Sequence, residues 1–317
     1  MVLLLGATGF LGQNVLRLLL ERHIPVRALV RSSLSVPGVD VVKGNILEEK
    51  DLLKAAEGCS AVINCAGTTD MRLRHLEDFY PVNRDLPRLL TGVLDKSGIA
   101  VLVHVSTANT IASGSAEHPS DESVPIGPPF DRSLYALSKL EGEKVLLEYA
   151  SGHPEKRIVI LNPGFMIGAY DFKPSSGELL LTGWKKPLML LPRGGKSFLH
   201  VRDAAVAIVN ALERGEGRYL LTGEYLSLKD FYALQARVMA YSQKQIVIPD
   251  FFLTAAGLLG NLLGKLGIKV IFYLHNTRQL LIEEWYSCSR AREELDFPQT
   301  PVEEAIKDFF TWRSSVK

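Results

Sequence analysis

Near its start the chain reads Leu3-Leu4-Leu5-Gly6-Ala7-Thr8-Gly9-Phe10-Leu11-Gly12. The apolar run before the first glycine predicts a buried strand, and apolar residues recur at helical spacing after the last one, so the glycines stand at a strand-to-helix turn. The free N–H groups of a helix N-terminus point out of such a turn, and anions bind there. Gly6 permits the tight turn, Gly9 lets a pyrophosphate approach the backbone, and Gly12 lets helix and strand pack closely.

This turn predicts a dinucleotide site. The glycine spacing is GxxGxxG, and a tight turn that binds no ligand could use the same three glycines. The strand before them and the helix after them favour the dinucleotide. The residues that we expect to hold it here are Gly6, Thr8, Gly9, Phe10, Leu11 and Gly12.

Short apolar strands alternate with helical segments along the first half of the chain. Further strands are predicted at 26–30, 39–42, 61–64 and 101–105, and helices at 11–22, 48–57, 74–96 and 134–150. This alternation is typical of an α/β fold of the Rossmann type, a doubly wound parallel sheet with helices on both faces. Ligands bind such sheets at the carboxyl ends of the strands.

The chain is long enough for two domains. We expect residues 1–164 and 199–223 to form the dinucleotide-binding domain. Residues 165–198 and 224–317 should form a smaller, mainly helical substrate domain, with helices near 178–182 and 302–312.

The composition excludes several classes of function. Among 317 residues, 36 Lys and Arg stand against 35 Asp and Glu, so nucleic acid is not an expected partner. Cys59, Cys65 and Cys288 lack metal-ligand spacing and suit reduced thiols of a cytoplasmic protein, so no metal site is expected. The N-terminus is already the first predicted strand, which leaves no room for a signal peptide.

One apolar stretch is similar in composition to a membrane segment. Residues 251–264 carry no charge, but these 14 residues are too few to span a bilayer. No membrane span is therefore predicted. We expect a helix that is buried in the core, beside a pocket or at a dimer interface, rather than one that contacts a membrane surface.

The end of the second strand decides which dinucleotide is expected. A site for NAD usually places an acid about 20 residues after the glycines, where it binds the ribose 2′-hydroxyl. This chain instead reads Arg31-Ser32-Ser33, and the guanidinium of Arg31 suits a 2′-phosphate, to which the serines can add hydroxyl donors. A solvated surface arginine is the alternative. The sequence favours NADP(H), with NAD(H) as the other option.

Two further strand ends belong to the same edge of the predicted sheet. Asn45 and Ile46 follow the third strand, where they could contact the adenine. Cys65, Ala66 and Gly67 follow the fourth, where small residues let the cofactor pass close to the backbone. Each segment alone would be an ordinary turn, and its position at the carboxyl edge favours a role in binding.

The chemistry is indicated by Tyr135-Ala136-Leu137-Ser138-Lys139. The residues at 131–133 are candidate caps for a helix that puts Tyr135 and Lys139 one turn apart on one face. A tyrosine has an unperturbed pKa of about 10, so acid–base catalysis at neutral pH requires a lower pKa. We expect the Lys139 ammonium and an oxidised nicotinamide ring to lower it.

A carbonyl reduction also needs a hydrogen-bond donor that holds the substrate oxygen near the tyrosine. Ser106 and Thr107 follow the fifth strand at the edge where cofactor and substrate should meet. Strand alternation points the two hydroxyls to opposite sides, so only one of them can be the donor. These residues alone leave open which one it is.

Together these motifs resemble the extended short-chain dehydrogenases/reductases of the epimerase/dehydratase type, and within them the dihydroflavonol-4-reductase-like branch. The resemblance covers nearly the whole chain. It rests on the glycine turn, Cys65-Ala66-Gly67, Ser106-Thr107, the YxxxK motif, Leu161-Asn162-Pro163-Gly164, Phe198 to Asp203 and Tyr219 to Gly223.

The resemblance implies roles for individual residues. Thr107 would be the catalytic hydroxyl, and Tyr135 would donate and accept the proton. Lys139 would hold the nicotinamide ribose and lower the tyrosine pKa. Asn83 would support the site from the helix after the fourth strand.

The resemblance also concerns the cofactor. Pro163 and Met166 would lie beside the nicotinamide. Asn45 departs from the family, which commonly has Asp at this position for the adenine amino group. An amide oxygen can still accept that hydrogen bond, so the expected weakening is modest.

Three function classes follow. The first is an NADP(H)-dependent reductase of a ketone or aldehyde, or dehydrogenase of a secondary alcohol, acting on a small molecule. The second is a nucleotide-sugar epimerase or dehydratase with tightly bound NAD, against which Arg31 argues. The third is a cofactor-sensing protein without catalysis, against which Thr107, Tyr135 and Lys139 argue. A homodimer is compatible with each class.

Overall fold

The computed structural model describes residues 1–70, 72–173, 175–265 and 279–316, with side chains left out at 261–265. The described strands fall into one large sheet and two small ones. They are β1 (Val2–Leu5), β2 (Val26–Val30), β3 (Val39–Lys43), β4 (Ala61–Asn64), β5 (Val101–Val105), β6 (Arg157–Pro163), β7 (Phe165–Ile167), β8 (Leu188–Leu191), β9 (Gly195–His200), β10 (Gly217–Leu221), β11 (Glu224–Ser227) and β12 (Lys244–Val247).

Ten helices accompany these strands within the described ranges. They are α1 (Phe10–Glu21), α2 (Glu49–Ala56), α3 (Leu86–Ser97), α4 (Leu134–Gly152), α5 (Gly177–Gly183), α6 (Val201–Asn210), α7 (Leu228–Val238), α8 (Asp250–Lys265), α9 (Ser289–Leu295) and α10 (Val302–Ser315). The predicted helices near 178–182 and 302–312 correspond to α5 and α10.

The large sheet has seven strands in the order β10-β6-β5-β4-β1-β2-β3, and all of its strand pairs are parallel. The prediction of a Rossmann-type α/β fold is confirmed. The order reverses at β1, because β2 lies on one side of it and β4 on the other. Leu5 pairs with both Leu29 and Asn64, so the three strands end side by side. This switch point is where an open α/β sheet binds its ligand.

The sheet is buried on both faces, which explains why its strands read as continuous apolar runs. Side chains alternate between two clusters: Leu4 belongs to one, while Leu3 and Leu5 belong to the other. Helices α1 and α6 cover the first face, and α2, α3 and α4 cover the second. Burial on this scale is the main favourable contribution to folding.

The smaller sheets build the other part of the molecule. β9 pairs with β7 in parallel and with β11 in antiparallel, and β8 pairs with β12 in parallel. A third apolar cluster joins Phe198 of β9 to Phe231 of α7 and Phe309 of α10. Phe198 is therefore a core residue.

The helix predicted over 74–96 begins later in the structure. The chain first makes short helical turns at Leu76–Asp78 and Pro81–Asp85, and α3 starts at Leu86. Proline lacks the N–H that a helix interior needs but is accepted in a first turn, as Pro87 is here. The predicted start was wrong because the apolar spacing continues through Pro81, although proline has no N–H to donate to the helix ladder.

Helix α8 is buried on only one side over residues 251–260, so the expected core burial of 251–264 holds for part of this helix, while the side chains of 261–264 lie outside the described residues. Leu253, Gly257 and Gly260 face the protein, but Phe251 is 74% exposed and Leu258 is 55% exposed. Its outward side therefore packs neither in the core nor against a pocket. Among the described helices, none combines the length and apolar character that crossing a membrane requires.

Candidate active site

The glycine turn presents a helix N-terminus at the switch point of the sheet. The Gly9 N–H donates to the Gly6 carbonyl at 2.9 Å, and Gly6 has φ +77°, a conformation that glycine adopts without strain. A Cβ at Gly12 would lie 2.0 Å from the Gly6 oxygen, so only glycine fits there. Gly9 caps α1 without a side-chain bond, and the first turn contains no acid. Thr8 and Gly9 are exposed, and the first-turn N–H groups of Phe10 and Leu11 can receive an anion.

The loop after β4 lies directly against this turn. A Cβ at Gly6 would stand 2.7 Å from the Ala66 nitrogen and from the Cys65 carbonyl carbon. The Ala66 N–H donates to the Asn64 side chain at 3.0 Å, which fixes the loop. A Cβ at Gly67 would lie 3.0 Å from Lys139 Nζ. The two loops thus form one cradle of small residues, and it fits a dinucleotide that runs from the glycine turn toward Lys139.

Arg31 stands at the end of β2, as predicted. Its side chain is exposed and makes no ion pair or hydrogen bond with any residue that the structure describes. An arginine that is held by no partner can turn toward a phosphate.

Asn45 and Ile46 follow β3 at the same edge. The Asn45 side-chain oxygen accepts the Leu47 N–H at 3.1 Å, and the Asn45 N–H donates to Asp51 at 2.8 Å. The amide is therefore oriented by its own turn, and Ile46 packs against the core beneath α2. An oxygen with two lone pairs can accept a second hydrogen bond.

Helix α4 carries Tyr135 and Lys139 on one face, one turn apart. Ser133, one of the predicted caps, accepts the Ala136 N–H at 3.4 Å and begins the helix. Lys139 is almost fully buried, and its Nζ donates to the Val105 carbonyl at 2.9 Å. Burial lowers the pKa of Lys139 to about 8, although the charge of Glu143 opposes the fall.

The hydroxyls of Ser106 and Thr107 point in opposite directions, as strand alternation requires. Ser106 Oγ donates to the Glu143 carboxylate inside the protein. Thr107 lies on the other side, close enough to Tyr135 to lower the pKa of the tyrosine. The geometry therefore brings Thr107, rather than Ser106, to Tyr135.

The net shift of the Tyr135 pKa is opposite to the one expected. The surrounding protein raises the pKa of Tyr135 to about 12, and the Glu143 charge adds to the rise. Thr107 offsets only part of the rise. Without a dinucleotide, Tyr135 is therefore a neutral phenol that carries its proton at physiological pH.

Asn83 joins the loop after β4 to helix α4. Its oxygen accepts the Thr68 N–H at 2.8 Å, and its Nδ2 donates to the Thr68 carbonyl at 2.9 Å and to Ser138 Oγ at 2.9 Å. A Cβ at Gly142 would lie 2.1 Å from the Asn83 carbonyl oxygen, so the helix backbone touches this turn. Asn83 thus fixes the position of α4 against the cradle.

A buried carboxylate that the sequence did not single out lies one turn beyond Lys139. Glu143 is 1% exposed and accepts hydrogen bonds from Thr110 at 2.8 Å and Asn162 at 2.7 Å, in addition to Ser106. Arg218 of the edge strand β10 reaches it at 3.1 Å. Four separate elements of the fold meet at Glu143, and only the three-dimensional structure shows that they do.

The segment after β6 closes the site on its other side. Pro163 ends β6 and is buried, and Met166 of β7 is half-buried against the core. Next to it, the Phe165 ring lies 5.4 Å from the Lys196 ammonium. Lys196 forms an ion pair with Glu284 at 2.5 Å, so its charge is already balanced within the chain.

Comparison with known proteins adds to this geometry. Residues 2–221 match the model of the NAD dependent epimerase/dehydratase family. A protein of Synechocystis sp., provisionally named dihydroflavonol 4-reductase, is 29% identical over 97% of this chain and 92% of its own. The 4-hydroxy-2-methyl-3-oxo-4-farnesyl-3,4-dihydroquinoline-1-oxide ketoreductase of Stigmatella aurantiaca is 30% identical over 82% of this chain and 79% of its own. The crystal structure of gox2253 shares the fold, with a TM-score of 0.85 at 24% identity over 100% of this chain and 98% of that one.

Proposed function

The chain belongs to the NAD dependent epimerase/dehydratase family and is an NAD(P)-dependent oxidoreductase, and on this premise we propose that it reduces a ketone or aldehyde with NADP(H), or oxidises the corresponding alcohol. The family expected from the sequence motifs is confirmed. The placement of Thr107, directly after β5, beside Tyr135, in the first turn of α4, carries the proposal, because a carbonyl oxygen bound between them would meet a hydrogen-bond donor and a proton donor together.

Each residue of the site has a distinct part in this reduction. When bound, the reduced nicotinamide supplies the hydride that adds to the carbonyl carbon. Thr107 donates a hydrogen bond to the carbonyl oxygen, and Tyr135 transfers its hydroxyl proton to that oxygen as charge develops there. The Lys139 ammonium donates to the Val105 carbonyl, and from there it would hold the nicotinamide ribose. Asn83 holds α4 so that these groups keep their spacing.

The residues that would hold the dinucleotide form a continuous path along the strand ends. The first-turn amides of α1 would bind the pyrophosphate, and Cys65, Ala66 and Gly67 would line the passage toward Lys139. Asn45 and Ile46 would contact the adenine, and Pro163 and Met166 the nicotinamide.

Arg31 would bind the 2′-phosphate and so make NADP(H) the preferred cofactor. We expect Arg31→Asp to weaken NADPH binding about ten- to hundredfold, because a charge-assisted hydrogen bond is lost, and to leave NADH binding nearly unchanged. Fluorescence titration of both cofactors measures this. Arg313→Asp, an exposed arginine of α10, is the matched control. Equal affinities for NADPH and NADH in the unmutated protein would contradict the preference.

The substrate is proposed to be an apolar carbonyl compound rather than a nucleotide sugar. The ketoreductase relative is named for a ketone that carries a farnesyl group. Phe165 offers an apolar surface beside Met166, and Lys196 is neutralised by Glu284, which leaves its charge unavailable to a diphosphate.

The cofactor found in the purified protein tests the proposal. A reductase must release its oxidised dinucleotide after each turnover, whereas an epimerase or dehydratase regenerates it in place. We therefore expect the protein to purify largely without dinucleotide, to oxidise added NADPH with members of a ketone and aldehyde panel, and to leave nucleotide sugars unchanged. Near-stoichiometric NAD released on denaturation would overturn the proposal in favour of an epimerase or dehydratase.

A further inference from the structure

Exposed apolar side chains are concentrated in two segments of the chain. Twelve large apolar side chains are exposed among the described residues, and eight of them belong to the segments 188–190 and 246–259. These segments form the β8–β12 ribbon and the helix α8 that follows it. We refer to their exposed side chains together as the apolar face.

The ribbon contributes a flat apolar surface. Met189 and Leu191 of β8 point inward, while Leu188 and Leu190 point outward and are 46% and 60% exposed. Leu190 pairs in register with Ile246 of β12, so their side chains stand next to each other on the outer side. The chain then continues through Val247 into α8.

Helix α8 is apolar on the side where a surface helix is normally polar. Leu253, Gly257 and Gly260 lie at helical spacing on the inner side. The outer side carries Phe251 and Phe252, 74% and 62% exposed, followed by leucines at 258 and 259. Thr254 is the one polar residue among the exposed positions of 251–259. Exposing this side of the helix to water is therefore unfavourable.

The charges beside the apolar face are positive. Lys185 and Lys186 immediately precede β8, and Lys244 pairs in register with Leu188 at the same end of the ribbon. All three lysines are exposed, and none forms an ion pair within the described ranges. Asp250, the acid at the start of α8, is neutralised by Arg193 at 3.0 Å.

We propose that the apolar face docks on the surface of an anionic lipid bilayer, with α8 lying along the interface. An apolar helix side with flanking lysines fits both layers of such a surface, since the aromatic and leucine side chains enter the acyl boundary and the ammonium groups meet lipid phosphates. A second copy of this chain would bring three more lysines to the same face and no free acid to pair with them. The charges therefore favour the lipid over a partner molecule.

Vesicle co-sedimentation of the purified full-length chain tests the proposal. We expect binding to phosphatidylcholine vesicles that contain phosphatidylserine, and weaker binding to phosphatidylcholine alone. The Leu258→Ser/Leu259→Ser variant should lose at least about tenfold in vesicle affinity, because two leucines no longer enter the bilayer. The Lys186→Glu/Lys244→Glu variant should lose about tenfold or more on the anionic vesicles and little on the neutral ones.

Leu147→Ser is the matched control, since Leu147 is exposed on α4 outside the apolar face. It should bind the vesicles as the unmutated chain does, and thermal unfolding checks that every variant is folded. Equal binding to both kinds of vesicle, or unchanged binding by the leucine variant, would overturn the proposal. The proposal would also be overturned if the protein did not bind vesicles and changed from dimer to monomer in sedimentation velocity when Leu258 and Leu259 are replaced. The apolar face would then contact a second copy of the chain.

Discussion

Tyr135→Phe is expected to lower kcat for NADPH-dependent carbonyl reduction by about 10²–10⁴-fold, the usual contribution of a positioned general acid. The substitution keeps the ring and removes only the hydroxyl, whose pKa Thr107 lowers. Cofactor binding should survive, because Lys139 and the glycine turn are untouched. Single-turnover kinetics with a substrate from the carbonyl panel, together with NADPH titration, separate the two effects.

Tyr149→Phe is the matched control for this experiment. Tyr149 lies on the same helix and its hydroxyl bonds to Asp95 at the surface, far along the helix from the cradle. Its removal should leave turnover unchanged. A Tyr135→Phe protein with full activity would mean that another group supplies the proton.

The pH dependence of kcat/KM for NADPH extends the same test, since it reports groups of the free enzyme. The pKa of Lys139 is lowered to about 8, so its ammonium is present below that pH and is lost as the pH rises through it. The Tyr135 pKa is raised to about 12, so the phenol keeps its proton over the same interval. We therefore expect kcat/KM to fall as the pH rises through about 8, because Lys139 loses its proton there.

Glu143→Ala is expected to destabilise the fold by about 3–5 kcal/mol, the usual cost of removing one partner from a buried ion pair. Arg218 would lose its carboxylate, and the side chains of Ser106, Thr110 and Asn162 would lose a shared acceptor. Leaving such groups unsatisfied inside the protein adds to the cost. Urea unfolding measures the change in the free energy of unfolding.

Glu141→Ala is the control on the same helix, because Glu141 is half-exposed and its ion pair within the described ranges is with Lys144 at the surface. Exposed pairs contribute about 0–1 kcal/mol, so this variant should unfold close to the unmutated chain. If Glu143→Ala lost no more than Glu141→Ala, the buried network would contribute little to stability.

Local patterns predicted much of the architecture. The alternation of strands and helices, the glycine turn and the Tyr135–Lys139 spacing all depend on residues that are close in sequence, so they could be read before the structure was known. Periodicity also explains the error at 74–96, since apolar spacing continued through Pro81 although the backbone hydrogen bonds could not.

Long-range contacts could not be predicted in the same way. Glu143, Asn162 and Arg218 are polar residues in separate elements, and no spacing rule joins them. The sequence could not decide whether Ser106 or Thr107 is the hydroxyl donor, because strand alternation shows only that the two side chains point apart. The choice depends on Glu143, which accepts the hydrogen bond of Ser106 inside the protein. The core burial expected for α8 holds for one side of the helix only, because an apolar composition does not say what the apolar residues contact.

The positions 135, 139 and 143 are spaced by four residues, so the phenol, the ammonium and the buried carboxylate stand on successive turns of α4. A single insertion between the first and the last would rotate one of them away from the others by about 100°. The proposed proton donor and the ion pair that anchors the helix therefore depend on the same helical spacing. An insertion or deletion within this stretch of α4 would separate the two, whereas replacements elsewhere leave the spacing intact.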